Sequence, residues 1–277
     1  MNKKIVFAFM TMASCLLGNL YGDIVIDGVL THDYSVDIGT KSYGSITVSN
    51  KGDKSAGFKI YLNDFHDSGL STFSGPPGSA PRSNANWITL ESPEFVTLQP
   101  EESKKILYSV DVPRDNSLFG TYWCVAMVEP VTENIITTNK GFSITPVIRY
   151  AIRVIATIRG TGEAIIEIGD KKIVDSEEEL LIKIAVNNKG SKVFKAPASF
   201  QMFSSTGEKI IDEKGRERRI FPDESIELVY TIPKETPQGE YQILLFLEGE
   251  DDILAAQYDL TVPGSEDKME TIKNQGK

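Results

Sequence analysis

Three blocks of residues occur twice in this chain in the same order, and that duplication limits the fold more than any other feature. "SITVSNKG" (45–52) answers to "IAVNNKG" (184–190). Pro100-Glu101-Glu102-Ser103 answers to Pro222-Asp223-Glu224-Ser225, and each leads into an alternating strand that a proline ends, Pro113 in one copy and Pro233 in the other. Gly120-Thr121-Tyr122 answers to Gly239-Glu240-Tyr241, and each opens a strongly apolar strand. Two copies of one unit describe tandem domains, because a solenoid needs at least three stacked repeats to bury a continuous core.

Within each unit, apolar runs of strand length are separated by Asn-Lys-Gly, Pro-x-Glu-Ser and Pro-to-Gly turn chemistry, with no sustained helical period. Short strands with frequent turns predict a β-sandwich. Tyr122 narrows this to an immunoglobulin-like sandwich: it stands two residues before Cys124 at the start of a strand, the place of a tyrosine corner. The fold class expected is therefore all-β, two tandem immunoglobulin-like β-sandwich domains after a signal peptide. The boundaries expected are 1–22 for the signal peptide, 23–159 and 160–263 for the domains, and 264–277 for a polar, disordered tail. The two glycines of "IRGTGEA" leave little room for a flexible linker at the junction.

The leader reads Met1-Asn2-Lys3-Lys4, then an apolar run from Ile5 to Leu17, then small residues to Gly22. That is a short positive region and an apolar core of about a dozen residues, a secretory signal rather than a membrane span, which needs about 20. Ala13-Ser14-Cys15 offers a lipoprotein cleavage site as the rival reading, with Cys15 lipidated. Either way the chain is expected to be exported, to the periplasm or the cell surface. Removing the leader moves the formal charge from -10 to -12. So acidic a chain is a poor match for nucleic acid, whose phosphates demand clustered Lys and Arg. Cys124 is then the sole cysteine and reads as a small core residue.

Residue types for catalysis are scarce. The two histidines, His32 and His66, have no ligand-like neighbours at zinc spacing, and nothing matches Gly-x-Ser-x-Gly or a phosphate loop. The acidic pairs, among them Glu101-Glu102 and Asp251-Asp252, fall at turns where solvated charge is the simple reading. No catalytic residues, metal site or cofactor are expected, and the chain reads as a non-enzyme. "GEKIIDEKGRERR" (207–219) reads as an exposed hairpin tip whose Lys214, Arg216, Arg218 and Arg219 could dock an acidic partner. The Gly/Ser/Pro-rich stretch 66–86 is long for a loop, which predicts a mobile tether or a binding loop.

The stretch "GFSITPVIRYAIRVIATIRG" (141–160) carries apolar residues at nearly every even position and Ser, Thr or Arg at most odd ones. Period-two alternation marks a strand with one buried face, and this one exceeds the usual five or six residues. With "SITVSNKG", "WITLESPEFVTLQPEES", "VDVP" and "YWCVAMVEP" upstream, residues 23–160 resemble the N-terminal domain of periplasmic pilus-assembly chaperones. The resemblance implies that this stretch is an overlong edge strand, called G1 in that family, which lends apolar side chains to an incomplete immunoglobulin-like subunit. Phe142, Ile144, Pro146 and Ile148 would be the donor residues, with Tyr150, Ile152 and Val154 facing the domain's own core. It also implies a basic pair that anchors the subunit's terminal carboxylate. Arg153, or Arg149, occupies the G1 position, while the first-strand region "DIVIDGVLTHDYSVDIGT" holds no Arg or Lys.

The function expected is a periplasmic chaperone-like protein that binds or assembles pilus or surface-protein subunits by strand donation. Its partners would be such a subunit or envelope protein and an outer-membrane assembly protein, with no nucleic acid and no small-molecule cofactor. A second reading, of another class, is a structural or adhesive envelope scaffold built of rigid sandwich domains.

Overall fold

The computed structural model describes residues 24–67, 72–131, 148–175, 179–249 and 252–262. The first sandwich runs through β1 (Ile24–Asp27), β2 (Thr31–Val36), β3 (Lys41–Asn50), β4 (Ala56–Asp67), β5 (Thr72–Gly75), β6 (Ile88–Glu91), β7 (Phe95–Leu98), β8 (Ser103–Asp111), β9 (Thr121–Val131) and β10 (Tyr150–Ile158). One sheet has the order β1-β3-β8-β6, and the facing sheet the order β2-β10-β9-β4-β5, with β7 also on β4. Alternate residues of both sheets fill the space between them: Ile46, Val48, Ile106, Tyr108 and Val110 from one, Phe58, Ile60, Cys124, Val128 and Ile152 from the other. The second sandwich comprises β11 (Ile166–Asp175), β12 (Leu180–Asn188), β13 (Phe194–Ser204), β14 (Lys209–Ile220), β15 (Ser225–Ile232), β16 (Gly239–Glu248) and β17 (Ile253–Val262). Its sheets are β11-β12-β15 and β14-β13-β16-β17, closed over a core centred on Phe200, Met202, Ile182, Ile184 and Leu245. The whole is all-β, two immunoglobulin-like sandwiches in tandem.

The repeated blocks build the same device twice. Asn50 and Asn188 are each fully buried, at the ends of β3 and β12. Asn50 Nδ2 donates to the carbonyls of Lys54 (2.7 Å) and Leu98 (3.2 Å), and its Oδ1 accepts from the Gly52 amide (3.0 Å). Asn188 does likewise with Lys192 (2.8 Å), Ile220 (2.9 Å) and the Gly190 amide (2.9 Å). The Pro-acid-Glu-Ser turns match too. Glu101 and Asp223 take positive φ, 59° and 62°, and the next residue's carboxylate caps the turn, Glu102 on the Gln99 amide (2.7 Å) and Glu224 on the Phe221 amide (3.0 Å). Buried polar groups persist only where they are hydrogen-bonded, and these side chains satisfy backbone groups of the turns and of the strand ends beside them.

The tyrosine corner forms in one copy and not in the other. Tyr241 donates its hydroxyl to the Pro237 carbonyl at 2.8 Å, four residues upstream. Tyr122 instead packs its ring on Trp87, centroids 4.8 Å apart, under the Arg82 guanidinium. The stretch expected to be a mobile tether or a binding loop supplies Arg82, leads directly into Trp87 and is, over 74–86, pinned to the sheet. Buried Asp64 accepts from Ser79 Oγ (3.2 Å), the Ala80 amide (2.8 Å) and Ser83 Oγ (2.5 Å). Asn84, fully buried, donates to the Val154 carbonyl at 3.1 Å, and Arg82 bonds the carbonyls of Phe119 and Thr121. A buried carboxylate must be paired or hydrogen-bonded, and this one uses the loop to meet that need.

Between Ile158 and Ile166 the chain crosses from one sandwich to the other, and the two meet there closely. The Thr121 amide donates to the Ser191 carbonyl (2.9 Å), and the Val193 amide donates to Thr121 Oγ1 (3.0 Å). Ile155, Val193 and Phe221 form a small buried cluster with Trp123 against it. Asp33 on β2 pairs with Lys195 (3.0 Å) and Arg219 (3.1 Å). Part of the basic run expected to await an outside partner is thus spent inside the molecule: Arg219 faces the first sandwich, while Lys214, Arg216 and Arg218 stay exposed on edge strand β14.

Candidate partner-binding edge

β10 is hydrogen-bonded on both sides over only part of its length. Against β9 it pairs antiparallel from Tyr150 opposite Val128 to Thr157 opposite Thr121. Against β2 it pairs in parallel, and only from Arg153 opposite Thr31 to Ile158 opposite Val36. The Arg153 amide donates to the Leu30 carbonyl (2.9 Å), and the Ile158 amide to the Gly120 carbonyl (2.9 Å). Odd residues therefore turn their backbone groups toward β2 and even residues toward β9. It follows that the N–H and C=O of Ala151 point to the side where β2 has already ended, and among the described residues no strand pairs there.

The cause lies in the chain's first turn. β1 pairs with β3 in the opposite sheet, and Gly28, at φ 120°, lets the backbone cross so that β2 can join β10. One segment serves both sheets, so each receives only half of it. Val29 and Leu30 lie on the crossing, 69% and 46% exposed, and close the open stretch at Arg153.

Even side chains of β10 follow the pattern read from the sequence. Ile152, Val154, Ala156 and Ile158 are buried in the first core and Tyr150 packs against it. Ile148 continues that face but is 44% exposed. Phe142, Ile144 and Pro146 lie outside the described residues. On the opposite face Arg149 pairs with Glu129 (3.0 Å), which also accepts from the Tyr61 hydroxyl (3.0 Å). Arg153 lies with its guanidinium 5.7 Å from the centre of the Phe221 ring, and among the described residues no carboxylate pairs with it. The structure thus separates the two candidate arginines: one is neutralised by its own sheet, and the other holds its charge at the junction.

His32 is no free cation on the first strand. Its Nδ1 meets the Tyr108 hydroxyl, and burial holds its pKa below the usual 6.5. Cys124 is fully buried, and desolvation pushes its thiol far up. Since the thiolate is the reacting species, Cys124 is expected to resist alkylation in the native protein and to be labelled in concentrated urea, read by peptide mass spectrometry. Native-state labelling within minutes would contradict this placement. Among the described residues no group of three or more His, Cys, Asp or Glu side chains is arranged to hold a metal ion.

No protein-family model matches the chain, and no curated protein matches it in sequence. Fimbrial chaperones are among the solved structures it is similar to. The class 5 fimbriae chaperone CfaA is 16% identical over 87% of this chain and 100% of its own, with a TM-score of 0.44. The E. coli chaperone DraB is 10% identical over 86% and 98%, with a TM-score of 0.41. A chain of the CsuC–CsuE chaperone–tip adhesion subunit pre-assembly complex, from archaic chaperone-usher Csu pili of Acinetobacter baumannii, is 12% identical over 75% and 90%, at 0.40. With identities this low and TM-scores below 0.5, they assign no activity, partner or compartment to this chain.

Proposed function

We propose that this chain is an exported, chaperone-like protein that binds or assembles protein partners by strand donation, the open half of β10 pairing with the partner's sheet. The observation that carries this reading is that the pairing of β2 with β10 stops at Arg153, so that among the described residues the outward backbone of Ala151 has no strand beside it, next to an apolar face. Unpaired edges are templates for strand addition, in which backbone hydrogen bonds supply affinity and alternate side chains supply specificity. Ile148 continues that face at the end of the described strand, and Phe142, Ile144 and Pro146 would extend it. Arg153, with no carboxylate paired to it among the described residues, suits an anion on the partner, such as a terminal carboxylate. On this reading residues 23–159 carry the edge and residues 160–263 brace it. The partner is an incomplete immunoglobulin-like subunit or envelope protein, handed on at an outer-membrane assembly protein in the periplasm. The close contacts at the junction favour the second reading, a rigid envelope scaffold, and the same experiment separates the two.

Proline at 151 removes the outward donor and leaves the β9 ladder intact, since that ladder uses the even residues. Native protein purified from its host is expected to bring down a β-rich partner. Ala151→Pro and Ile148→Asp are each expected to lower that capture about tenfold or more, with thermal midpoints within a few degrees of the parent. Capture that survives both substitutions, or a protein that is surface-exposed and partner-free, would count against strand addition and for the scaffold.

A further inference from the structure

The strand that covers part of β10 has an uncovered side of its own. β2 is the last strand of its sheet, and the amides of Arg153 and Arg159 donate to the carbonyls of Leu30 (2.9 Å) and Val36 (2.8 Å). In the parallel register that runs from Arg153 opposite Thr31 to Ile158 opposite Val36, even residues of β2 spend their backbone groups on β10 and odd residues turn theirs outward. The Ser35 carbonyl, so turned, accepts from the Arg159 guanidinium at 3.2 Å, and Asp37 holds that guanidinium at 3.6 Å. Among the described residues the N–H and C=O of Asp33 and the N–H of Ser35 meet no partner.

Asp33 and Ser35 line a cleft of about 840 Å³ between the two sandwiches, within the range of roughly 300–1,000 Å³ usual for sites that enclose a ligand. The second sandwich contributes Ile166, Phe194 and Leu254 to it, each packed on that sandwich's core with part of its surface left over. Edge strands are commonly blunted by a charged side chain. On β2 that charge is Asp33, and Lys195 (3.0 Å) and Arg219 (3.1 Å) neutralise it. The carboxylate therefore ties the edge to the second sandwich and no longer guards it.

We propose that this cleft takes an extended segment of a protein partner as an added strand on the outer side of β2. The free groups run donor, acceptor, donor at the spacing of a strand, and the complement of that pattern is another strand's backbone. Three backbone bonds would fall on Asp33 and Ser35, and an apolar side chain of the segment would lodge against Ile166, Phe194 and Leu254. Arg159, by holding the Ser35 carbonyl, ends the open stretch, so about five residues of partner suffice. This is a different edge from the open half of β10, and the inference does not rest on the reading of that one.

The test is an NMR titration of the isotope-labelled full-length protein with the peptide acetyl-Thr-Val-Thr-Val-Thr-amide, up to about 5 mM. The peptide offers what the site asks for, an extended backbone with apolar side chains and no charge. The Asp33 and Ser35 amides are expected to shift saturably and to exchange about tenfold or more slowly at saturation, while the Arg153 amide, already bonded to Leu30, keeps its protection. The same peptide N-methylated at every residue, which can donate from neither edge, is expected to bind about tenfold or more weakly. Ser35→Pro, which removes an outward donor and spares the even residues that pair with β10, is expected to weaken the parent peptide alike. No saturable change at Asp33 and Ser35 overturns the proposal. Equal binding of the N-methylated peptide overturns it in favour of a small apolar ligand. Protection of these amides that rises with protein concentration, beside a dimer in sedimentation, overturns it in favour of a second copy. Changes confined to Ala151 and its neighbours overturn it and leave the β10 reading standing.

Discussion

Replacing Gly120 by alanine is expected to lower the free energy of unfolding by about 3 kcal/mol, and to do so by prising the sandwiches apart. Gly120 holds φ at 71°, where an L side chain is strained by about 1–2 kcal/mol. A Cβ there would also sit 2.0 Å from the Ser191 carbonyl oxygen and 2.7 Å from its carbon. Both obstacles are backbone, so no side chain can rotate aside, and overpacking of this kind adds roughly 1–3 kcal/mol. The carbonyl being pushed is the one that takes the Thr121 amide, so relief of the clash breaks a bond between the sandwiches. Trp123 and Phe221, with ring centroids 4.6 Å apart at that junction, should separate. Urea denaturation followed by tryptophan emission checks both parts. A midpoint unchanged from the parent, with native emission also unchanged, would show that the sandwiches are not held at Gly120. Gly160, at φ 68° with open space around its Cβ position, is the control, and there alanine should cost only the backbone strain.

Asn188→Ala is expected to cost about 3 kcal/mol or more, since it strips partners from several buried backbone groups at once. The amide carries the carbonyls of Lys192 and Ile220 and the Gly190 amide, and the Ile165 amide lies 3.3 Å from its oxygen. Leaving one buried group unpaired costs about 1–3 kcal/mol, and water entering a hole of alanine size can recover only part of that. Asn50→Ala should behave alike, because its seat is the same one built in the first sandwich. Equilibrium denaturation of the two variants provides the measurement. Two losses below about 1 kcal/mol would show that the paired asparagines are ornaments of the repeat and not its pins.

Those asparagines mark how far the sequence could be read. The Asn-Lys-Gly and Pro-acid-Glu-Ser blocks are visible in duplicate, and the bonds they make are local on one side, reaching two to four residues along the chain. Their other bonds, from Asn50 to Leu98 and from Asn188 to Ile220, join the two blocks to each other within a sandwich. Spacing alone gave no sign of that union. Gly-x-Tyr was equally visible in both copies, yet only Tyr241 closes a tyrosine corner, because Trp87 and Arg82 draw the ring of Tyr122 elsewhere. Composition read 66–86 as a mobile tether or a binding loop, while the residue that pins its far half, Asp64, precedes the stretch and carries no local mark of its role.

At the candidate edge, periodicity identified the buried face of β10, since alternation reports which side of a strand meets a core. Period two also predicted a polar opposite face, and Ile155 is the exception that the second sandwich explains by covering it. Sequence alone therefore determined the class of the fold, its duplication, its turn chemistry and the inward residues of the long strand, all of which depend on neighbours a few residues away. Only the tertiary structure decided where β2 leaves β10, which arginine is already paired, and that Arg219 answers Asp33 across 186 residues. The reason is physical: an edge is open or closed, and a charge spent or free, according to what the rest of the chain brings beside it.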